Sequence, residues 1–323
     1  MWRSHSRGRL FLNPLRRCLA GVAFAGALAV VDAAAETAPL RIVATTEDLA
    51  ALAREVGGDR VSVVALASGR QDPHQVDPKP SFISALSGAD LLIVVGRELE
   101  VAWLPVLQTG SRNGKVQVGG SGYLDASIGV KILEIPTGQV TRAMGDVHAQ
   151  GNPHYWLDPA NGRIIARSIR DKLTQLVPAD RAYFDQRYAD FDERLAAAEH
   201  HWDAALAPYR GAKLVTYHRS WPNFMERWGL EVIGYVEPKP GIPAPPSHII
   251  QLVEEMKRHG ARLIVVEPYW SLRTPASIAS RAGAEVLVLA PSVGAAAGVT
   301  DYIQLFEYNV THLVEALRAT TDR

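Results

Sequence analysis

Three histidines and one glutamate have the types and positions to bind a divalent cation. His74 lies in the loop after a predicted strand, in GRQDPHQVDP, and His154 lies in GNPHYWLDP, just before a predicted helix. His218 and Glu267 directly follow two further predicted strands, KLVTY and RLIVV. Because loops at the carboxyl ends of parallel strands line one crevice, these four side chains can converge. Three imidazoles and one carboxylate make a four-coordinate site that suits Zn²⁺ and tolerates other first-row divalent ions.

Spacing along the chain does not identify this site, because the four residues are dozens of positions apart and form no local motif such as HExxH. The fourth ligand has alternatives. His148, in GDVHAQGNPH, could complete the shell or collect metal, and a water molecule could fill the position. Asp301 is a weaker candidate, since it more simply caps the last predicted helix.

Other polar residues have simpler interpretations. Asp158 before Pro159 predicts a helix N-cap with proline at the first helical position, and Asp77 before Pro78 predicts the same. His200 and His201 are adjacent on a predicted helix and cannot share one face, so we expect them to face solvent.

Composition and charge exclude several classes of protein. The 323 residues contain 34 basic and 34 acidic side chains, so no basic excess points to nucleic acid. Residues 1–35 combine five arginines, an uncharged apolar run and Ala-Ala-Ala before Glu36, which predicts a signal peptide. Its removal would leave a net charge of −4. Cys18, the only cysteine, lies in this leader after two arginines, so a mature metal site must use histidines and carboxylates.

Short β-branched runs alternate with helical patterns in both halves of the chain, which predicts an α/β protein with mainly parallel sheets. The predicted strands are 41–45, 61–66, 91–95, 213–217, 231–235, 262–266 and 285–289. The predicted helices are 48–56, 81–86, 249–259, 275–282 and 302–319. Residues 109–152 are less periodic and predict a long loop with some strand.

A long helix over 179–206 is predicted between the two halves. Its apolar residues recur at alternating steps of four and three along about eight turns, namely Phe184, Tyr188, Phe191, Leu195, Ala198, Trp202 and Ala205. At 1.5 Å per residue, the helix would be about 40 Å long. We therefore predict a signal peptide (1–35), an N-terminal α/β lobe (36–178), one rigid linking helix (179–208) and a C-terminal α/β lobe (209–323), with a metal cleft between the lobes.

From about residue 40 to residue 317, the chain resembles the zinc- and manganese-binding solute receptors of bacterial ABC transporters. The opening RIVATTEDLAALAREVGGDRVSVVAL is similar to the family's first strand, helix and second strand. The segments QDPHQVDPKP, NPHYWLDP and YHRSWPNFMERWGL are similar to its three successive ligand loops, and ADLLIVVGRELEVAWL to the segment after the first of them. The resemblance implies a two-lobed fold with a linking helix, and His74, His154 and His218 as ligands.

Two features depart from that family. The family usually places an aspartate after the last strand, but this chain has Ala290 there, in VLVLAPSVG. Glu267, at the end of the neighbouring predicted strand, could fill the vacancy, because adjacent strands lie about 4.8 Å apart. The His-rich acidic loop of many zinc receptors is also missing, with only His148 in residues 120–150. Glu237, in the proline-rich segment EPKPGIPAPPSH, could orient a ligand histidine.

The resemblance implies a periplasmic receptor that binds Zn²⁺ with high affinity and delivers it to the membrane permease of an ABC transporter. Histidine at the third ligand position favours zinc over Mn²⁺, which prefers oxygen, although a manganese receptor is an alternative. We expect a monomer that takes its metal from solution or from a periplasmic donor. Acidification should release the ion, because the ligands must be deprotonated to bind it. Two other classes of protein stay open, a receptor for a metal chelate and a zinc hydrolase with water at an open fourth position.

Overall fold

Two parallel β-sheets, one in each half of the chain, organise the structure. The computed structural model describes residues 38–141, 144–145 and 147–321, so the predicted signal peptide and Cys18 lie outside the described residues. The first sheet has the order β2-β1-β3-β4 and consists of β1 Leu40–Ala44, β2 Val61–Ala65, β3 Leu91–Val94 and β4 Tyr123–Asp125. Its strands are parallel, with Val43 opposite both Val64 and Leu92. The buried apolar run of β3 is typical of a strand covered on both faces.

The second sheet repeats this arrangement. Its order is β6-β5-β7-β8, and its parallel strands are β5 Lys213–Thr216, β6 Glu231–Tyr235, β7 Leu263–Val266 and β8 Glu285–Val288. In the first sheet β1 lies between β2 and β3, and in the second sheet β5 lies between β6 and β7. The strand order therefore reverses direction at β1 and at β5. Ligand sites in such sheets lie beside this reversal, outside the carboxyl ends of the strands.

Nine α-helices pack on these sheets in the described residues. They are α1 Glu47–Gly57, α2 Pro80–Ser87, α3 Leu104–Ser111, α4 Pro159–Leu176, α5 Arg181–Leu206, α6 Pro222–Trp228, α7 Pro246–His259, α8 Arg273–Ala282 and α9 Tyr302–Thr321. Within the part of the chain that the structure describes, no helix combines the length and apolarity needed to cross a membrane.

The long helix α5 joins the halves, as the sequence predicts. It has 26 residues, about 39 Å at 1.5 Å per residue, and packs against α1, α4 and α9. Five residues of the predicted stripe and its continuation are fully buried, namely Phe184, Phe191, Leu195, Trp202 and Leu206. They belong to one apolar cluster that includes residues of both sheets. The two-lobed α/β fold is thus confirmed, while the boundaries given for the lobes and the linking helix stay a prediction.

Some elements differ from the sequence-based expectation. The short helices α3 and α6 are not predicted, because seven or eight residues carry too little periodicity. Pro222 at the start of α6 and Gly229 after its end, with φ 69°, are the signals that mark it. The predicted N-cap at Asp77 is wrong. The residue before Pro80 is disfavoured in the helical region, so Lys79 is extended and α2 begins only at Pro80.

Buried hydrogen bonds tie the two lobes together. Asp48 on α1 accepts hydrogen bonds from the backbone N–H of Val293 at 3.0 Å and from the Ser292 hydroxyl, both in the loop after β8. Trp156 Nε1 donates to the backbone oxygen of Pro291 at 3.0 Å in the same loop. Burial raises the pKa of Asp48 to about 7, and these hydrogen bonds only partly offset it.

Replacing Asp48 by asparagine should weaken the pH dependence of stability. Between pH 4 and 7 the unfolded Asp48 is ionised while the folded one holds its proton, so the native state binds more protons. The free energy of unfolding then falls as pH rises, by about 1.4 kcal/mol per pH unit for this group. Asparagine mimics the protonated acid and removes that contribution. Burial also raises the pKa of Glu100 to about 7. The free energy of unfolding should therefore still fall with pH in both proteins, but by less in the variant.

Urea unfolding at pH 5 and pH 8 measures this effect. The wild type should lose more stability than Asp48→Asn between the two pH values, and the exposed control Asp59→Asn should behave like the wild type. Equal losses in wild type and Asp48→Asn would contradict a protonated Asp48 at the lobe junction.

Candidate metal centre

Three predicted ligands, His74, His154 and His218, meet between the lobes. One nitrogen of each ring lies within 4.8 Å of the others, and among the described residues this is the only such group of three or more histidine, cysteine or acidic side chains. The ring centroids are 5.1 Å, 5.4 Å and 5.5 Å apart, which is nearly an equilateral triangle. All three side chains are buried, with at most 6% of each residue exposed. Residues from the loop after β2, the loop before α4 and the end of β5 thus converge.

A repeated local motif positions two of these rings. Asp72-Pro73-His74 and Asn152-Pro153-His154 each place an Asx side chain two residues before the histidine. Asp72 Oδ1 accepts from the backbone N–H of His74 at 3.0 Å and lies 2.8 Å from its Nδ1. Asn152 Oδ1 makes the same two contacts to His154, both at 2.9 Å. These acceptors are not among the residues predicted from sequence, although the shared pattern [DN]-P-H is the signal that marks them.

The orientation of Asn152 is fixed by its other contacts. Its Nδ2 donates to the Glu134 carboxylate at 2.9 Å and to the backbone oxygen of Arg219 at 2.8 Å. Its Oδ1 must therefore face His154. Burial raises the pKa of Asp72, but the hydrogen bond and charge of His74 outweigh burial and hold that pKa below its usual value.

Glu237 holds the third ring. Its Oε2 lies 2.9 Å from His218 Nδ1 and accepts from the backbone N–H of Gly241 at 3.1 Å. The predicted contact between Glu237 and a candidate ligand is therefore observed. Burial lowers the pKa of His218, but the Glu237 hydrogen bond and the charges of Glu267 and Glu237 outweigh it and raise the pKa overall.

Each ring therefore uses Nδ1 for an oxygen acceptor and keeps Nε2 for the centre of the cluster. An acceptor at Nδ1 selects the tautomer with the proton there and leaves a lone pair on Nε2. His154 Nε2 is buried without a hydrogen-bond partner. Burial, together with the nearby histidines, lowers the pKa of His154 well below its usual value, so the ring stays neutral. A buried lone pair without a partner is a poor arrangement for protein atoms alone and a good one for a cation.

Glu267 lies next to this cluster but not within it. It directly follows β7, which pairs with β8, and Ala290 lies two residues beyond the end of β8. Its Oε1 accepts from Trp221 Nε1 at 2.9 Å, and the residue is fully buried. Burial raises its pKa, and the charge of nearby His218 partly offsets this. Glu267 is not in the group of mutually close donor atoms, so its coordination of a metal stays a prediction.

The two alternative ligands lie in different places. His148 is half-buried, and its Nε2 lies 3.2 Å from His74 Nε2. Asp301 accepts from the backbone N–H of Gln304 at 2.8 Å and so caps the start of α9, as the simpler interpretation predicts. The predicted N-cap Asp158, which is not a candidate ligand, accepts in the same way from Ala160 N–H at 3.0 Å at the start of α4.

Removal of the carboxylate behind His218 should weaken metal binding. Glu237→Ala is expected to lower zinc affinity by about ten- to a hundredfold, because outer partners of metal-bound histidines fix the ring and its tautomer. Glu237→Gln should recover most of the loss, since its amide oxygen still accepts from Nδ1. Competition titration against a chelator measures both affinities, with exposed Glu254→Ala as the control. An alanine variant with wild-type affinity would contradict this role.

The fold and this cluster of candidate ligands are together typical of one class of protein, the two-lobed α/β metal receptors. Comparisons with known proteins agree. Residues 42–316 match the family model described as zinc-uptake complex component A, periplasmic (ZnuA). The chain therefore belongs to the ZnuA family, the extracytoplasmic substrate-binding components of metal ABC transporters.

Relatives in this family carry names for two metals. The manganese ABC transporter substrate-binding lipoprotein PsaA of Streptococcus pneumoniae is 25% identical over 233 residues, 71% of this chain and 72% of PsaA. The zinc-binding lipoprotein AdcA of Streptococcus pneumoniae serotype 4 is 24% identical over 294 residues, and the match covers 88% of this chain but only 56% of AdcA. A zinc-bound deletion mutant of ZnuA is 25% identical with a TM-score of 0.73, covering 86% of this chain and 98% of that one.

Proposed function

We propose that this protein binds Zn²⁺ through His74, His154 and His218 and carries it to the permease of an ABC transporter. The observation that supports this most strongly is the buried triangle of rings, in which each Nδ1 lies beside an oxygen acceptor, so that the Nε2 atoms are the nitrogens that can bind the ion. Nearby carboxylates Asp72 and Glu237 would stabilise the positive charge of the ion. The metal is the cargo of the protein and not a resident cofactor.

The donor set favours zinc among divalent ions. Three imidazole nitrogens suit Zn²⁺, whereas Mn²⁺ prefers carboxylate, carbonyl and water oxygens. A manganese receptor is the second candidate, because PsaA is named for that metal. A strong Mn²⁺ site would need Glu267 as a direct ligand.

Titration of the purified full chain with Zn²⁺ and Mn²⁺ tests this proposal. We expect one equivalent of zinc, tight binding, and Mn²⁺ displaced by stoichiometric Zn²⁺. Glu267→Gln, measured alongside, tests the predicted fourth ligand. Failure to bind either ion would contradict the function, and binding of a metal chelate but not the free ion would favour the chelate receptor. Zinc-dependent hydrolysis of esters or peptides would favour the hydrolase over the carrier.

We also propose that residues 1–35 are a signal peptide and that the mature protein is a periplasmic monomer. The proposal rests on the arginine-rich start and apolar run of that segment and on the family to which the chain belongs. Mass spectrometry of the exported protein should find an unmodified chain beginning at Glu36. A lipid-modified Cys18 would instead indicate a membrane-anchored form. Pull-down with the permease, and with any periplasmic metal donor, tests these partners.

A further inference from the structure

A fourth histidine contacts the metal cluster from outside the three predicted ligand positions. His148 Nε2 lies 3.2 Å from His74 Nε2, and the two rings stack with centroids 5.2 Å apart. Two nitrogen ligands of a tetrahedral zinc ion, each about 2.0–2.1 Å from the metal, lie roughly 3.3 Å apart. The pair therefore already has the separation that two ligands of one ion require.

His148 also faces the other two rings. A cavity of about 80 Å³ is bordered by His148, His154 and His218, so the imidazole has an open path to the place where the ion would sit. His148 is not in the group of mutually close donor atoms, so its ring must move toward His154 and His218 to complete the shell. His74 Nδ1 lies against Asp72, so its Nε2 is the acceptor and His148 Nε2–H is the donor in this contact.

The loop that carries His148 is held at several points. Ala149 N–H donates to Glu98 Oε2 at 2.8 Å, and Gly151 N–H donates to the His148 carbonyl at 3.1 Å. On the other side, Gly145 approaches the second lobe so closely that a Cβ there would lie 2.2 Å from the Pro240 carbonyl oxygen. Residues on either side of His148 thus approach both lobes, Ala149 at Glu98 and Gly145 at Pro240.

The backbone at Glu98 is strained in a way that serves this contact. Gly96, Arg97 and Glu98 have φ values of 75°, 53° and 67°. Non-glycine residues in the left-handed region cost free energy and cluster where geometry serves function. This turn aims the Glu98 carboxylate at the His148 loop.

We propose that His148 is the fourth ligand of the bound ion and that the hydrogen bond from Ala149 N–H to the Glu98 carboxylate positions it. This inference rests on the proposed function. In the metal-free protein His148 caps the lone pair of His74. When the ion enters, His148 takes the tautomer with its proton on Nδ1 and binds through Nε2. His148 would thus supply the fourth ligand that Ala290 cannot provide.

X-ray absorption of the zinc-loaded chain, with competition titration, tests the proposal. The wild type should show four imidazole ligands, and His148→Ala should show three with an added light-atom ligand. His148→Ala should bind zinc about ten- to a hundredfold more weakly and release it faster to a chelator. Glu98→Ala should change release in the same direction by a smaller factor. His259→Ala, on the surface of α7, is the control.

The outcomes separate this inference from the function. If His148→Ala keeps wild-type affinity and ligand count, the inference is overturned while the carrier function stands. Loss of a ligand in Glu267→Gln, and not in His148→Ala, would also overturn it and assign the fourth position to Glu267. A wild type that binds no zinc overturns both. Circular dichroism and the melting temperature of each metal-free variant establish that folding is retained.

Discussion

Replacing His154 by alanine is expected to lower zinc affinity by more than about a hundredfold. Changes to outer partners of metal ligands already cost ten- to a hundredfold, and loss of a direct ligand costs more. His154 is the deepest of the three rings, only 2% exposed, and its buried Nε2 has no other partner. Isothermal titration or chelator competition at constant pH and salt measures the change.

His200→Ala is the matched control, because that histidine lies on the exposed face of α5. It should bind zinc as the wild type does. Since the alanine at 154 leaves a cavity, His154→Gln should be measured beside it, and both variants must melt cooperatively before their affinities are compared. Wild-type affinity in both folded variants would show that the three-histidine cluster is not the zinc site.

Replacing Trp202 by alanine is expected to destabilise the protein by about 3–5 kcal/mol, the usual cost of removing a large buried aromatic side chain. Trp202 is fully buried on α5, its ring lies 5.3 Å from that of Phe306, and its Nε1 donates to Glu307 at 2.8 Å. The substitution removes packing between α5 and α9 and leaves the Glu307 carboxylate without this donor.

Urea unfolding measures this loss as a lower midpoint with an unchanged slope. His201→Ala, the exposed neighbour of Trp202, should change stability by less than about 0.5 kcal/mol. A Trp202→Ala variant as stable as the wild type would contradict the role of α5 as the core that joins the two sheets.

The regular elements could be predicted because buried apolar residues recur along the sequence with the period of a helix or form the continuous run of a buried strand. Buried strands such as β3 and β7 are continuous β-branched and apolar runs, and the four-and-three spacing of Phe184, Phe191 and Trp202 gives α5. The short helices α3 and α6 are too short to show such a pattern. Where a strand ends, the next polar residue faces the crevice, which is why His218 could be placed there from sequence.

The finer structure of the site could be predicted only in part. Glu237 was expected behind a ligand histidine, whereas Asp72 and Asn152 act through local Asx geometry that apolar periodicity does not report. The fourth ligand depends on the conformation of a loop, and a loop of low periodicity does not specify where His148 points. Glu267 could be placed at the end of β7, but its strand position does not determine the direction of its carboxylate.

A crystal structure of the zinc-loaded protein, with anomalous diffraction at the zinc edge, tests the central claim most directly. We expect one strong anomalous peak about 2.0–2.1 Å from the Nε2 atoms of His74, His154 and His218, with their Nδ1 atoms still beside Asp72, Asn152 and Glu237. A zinc ion bound elsewhere, or these three rings turned away from it, would contradict the account.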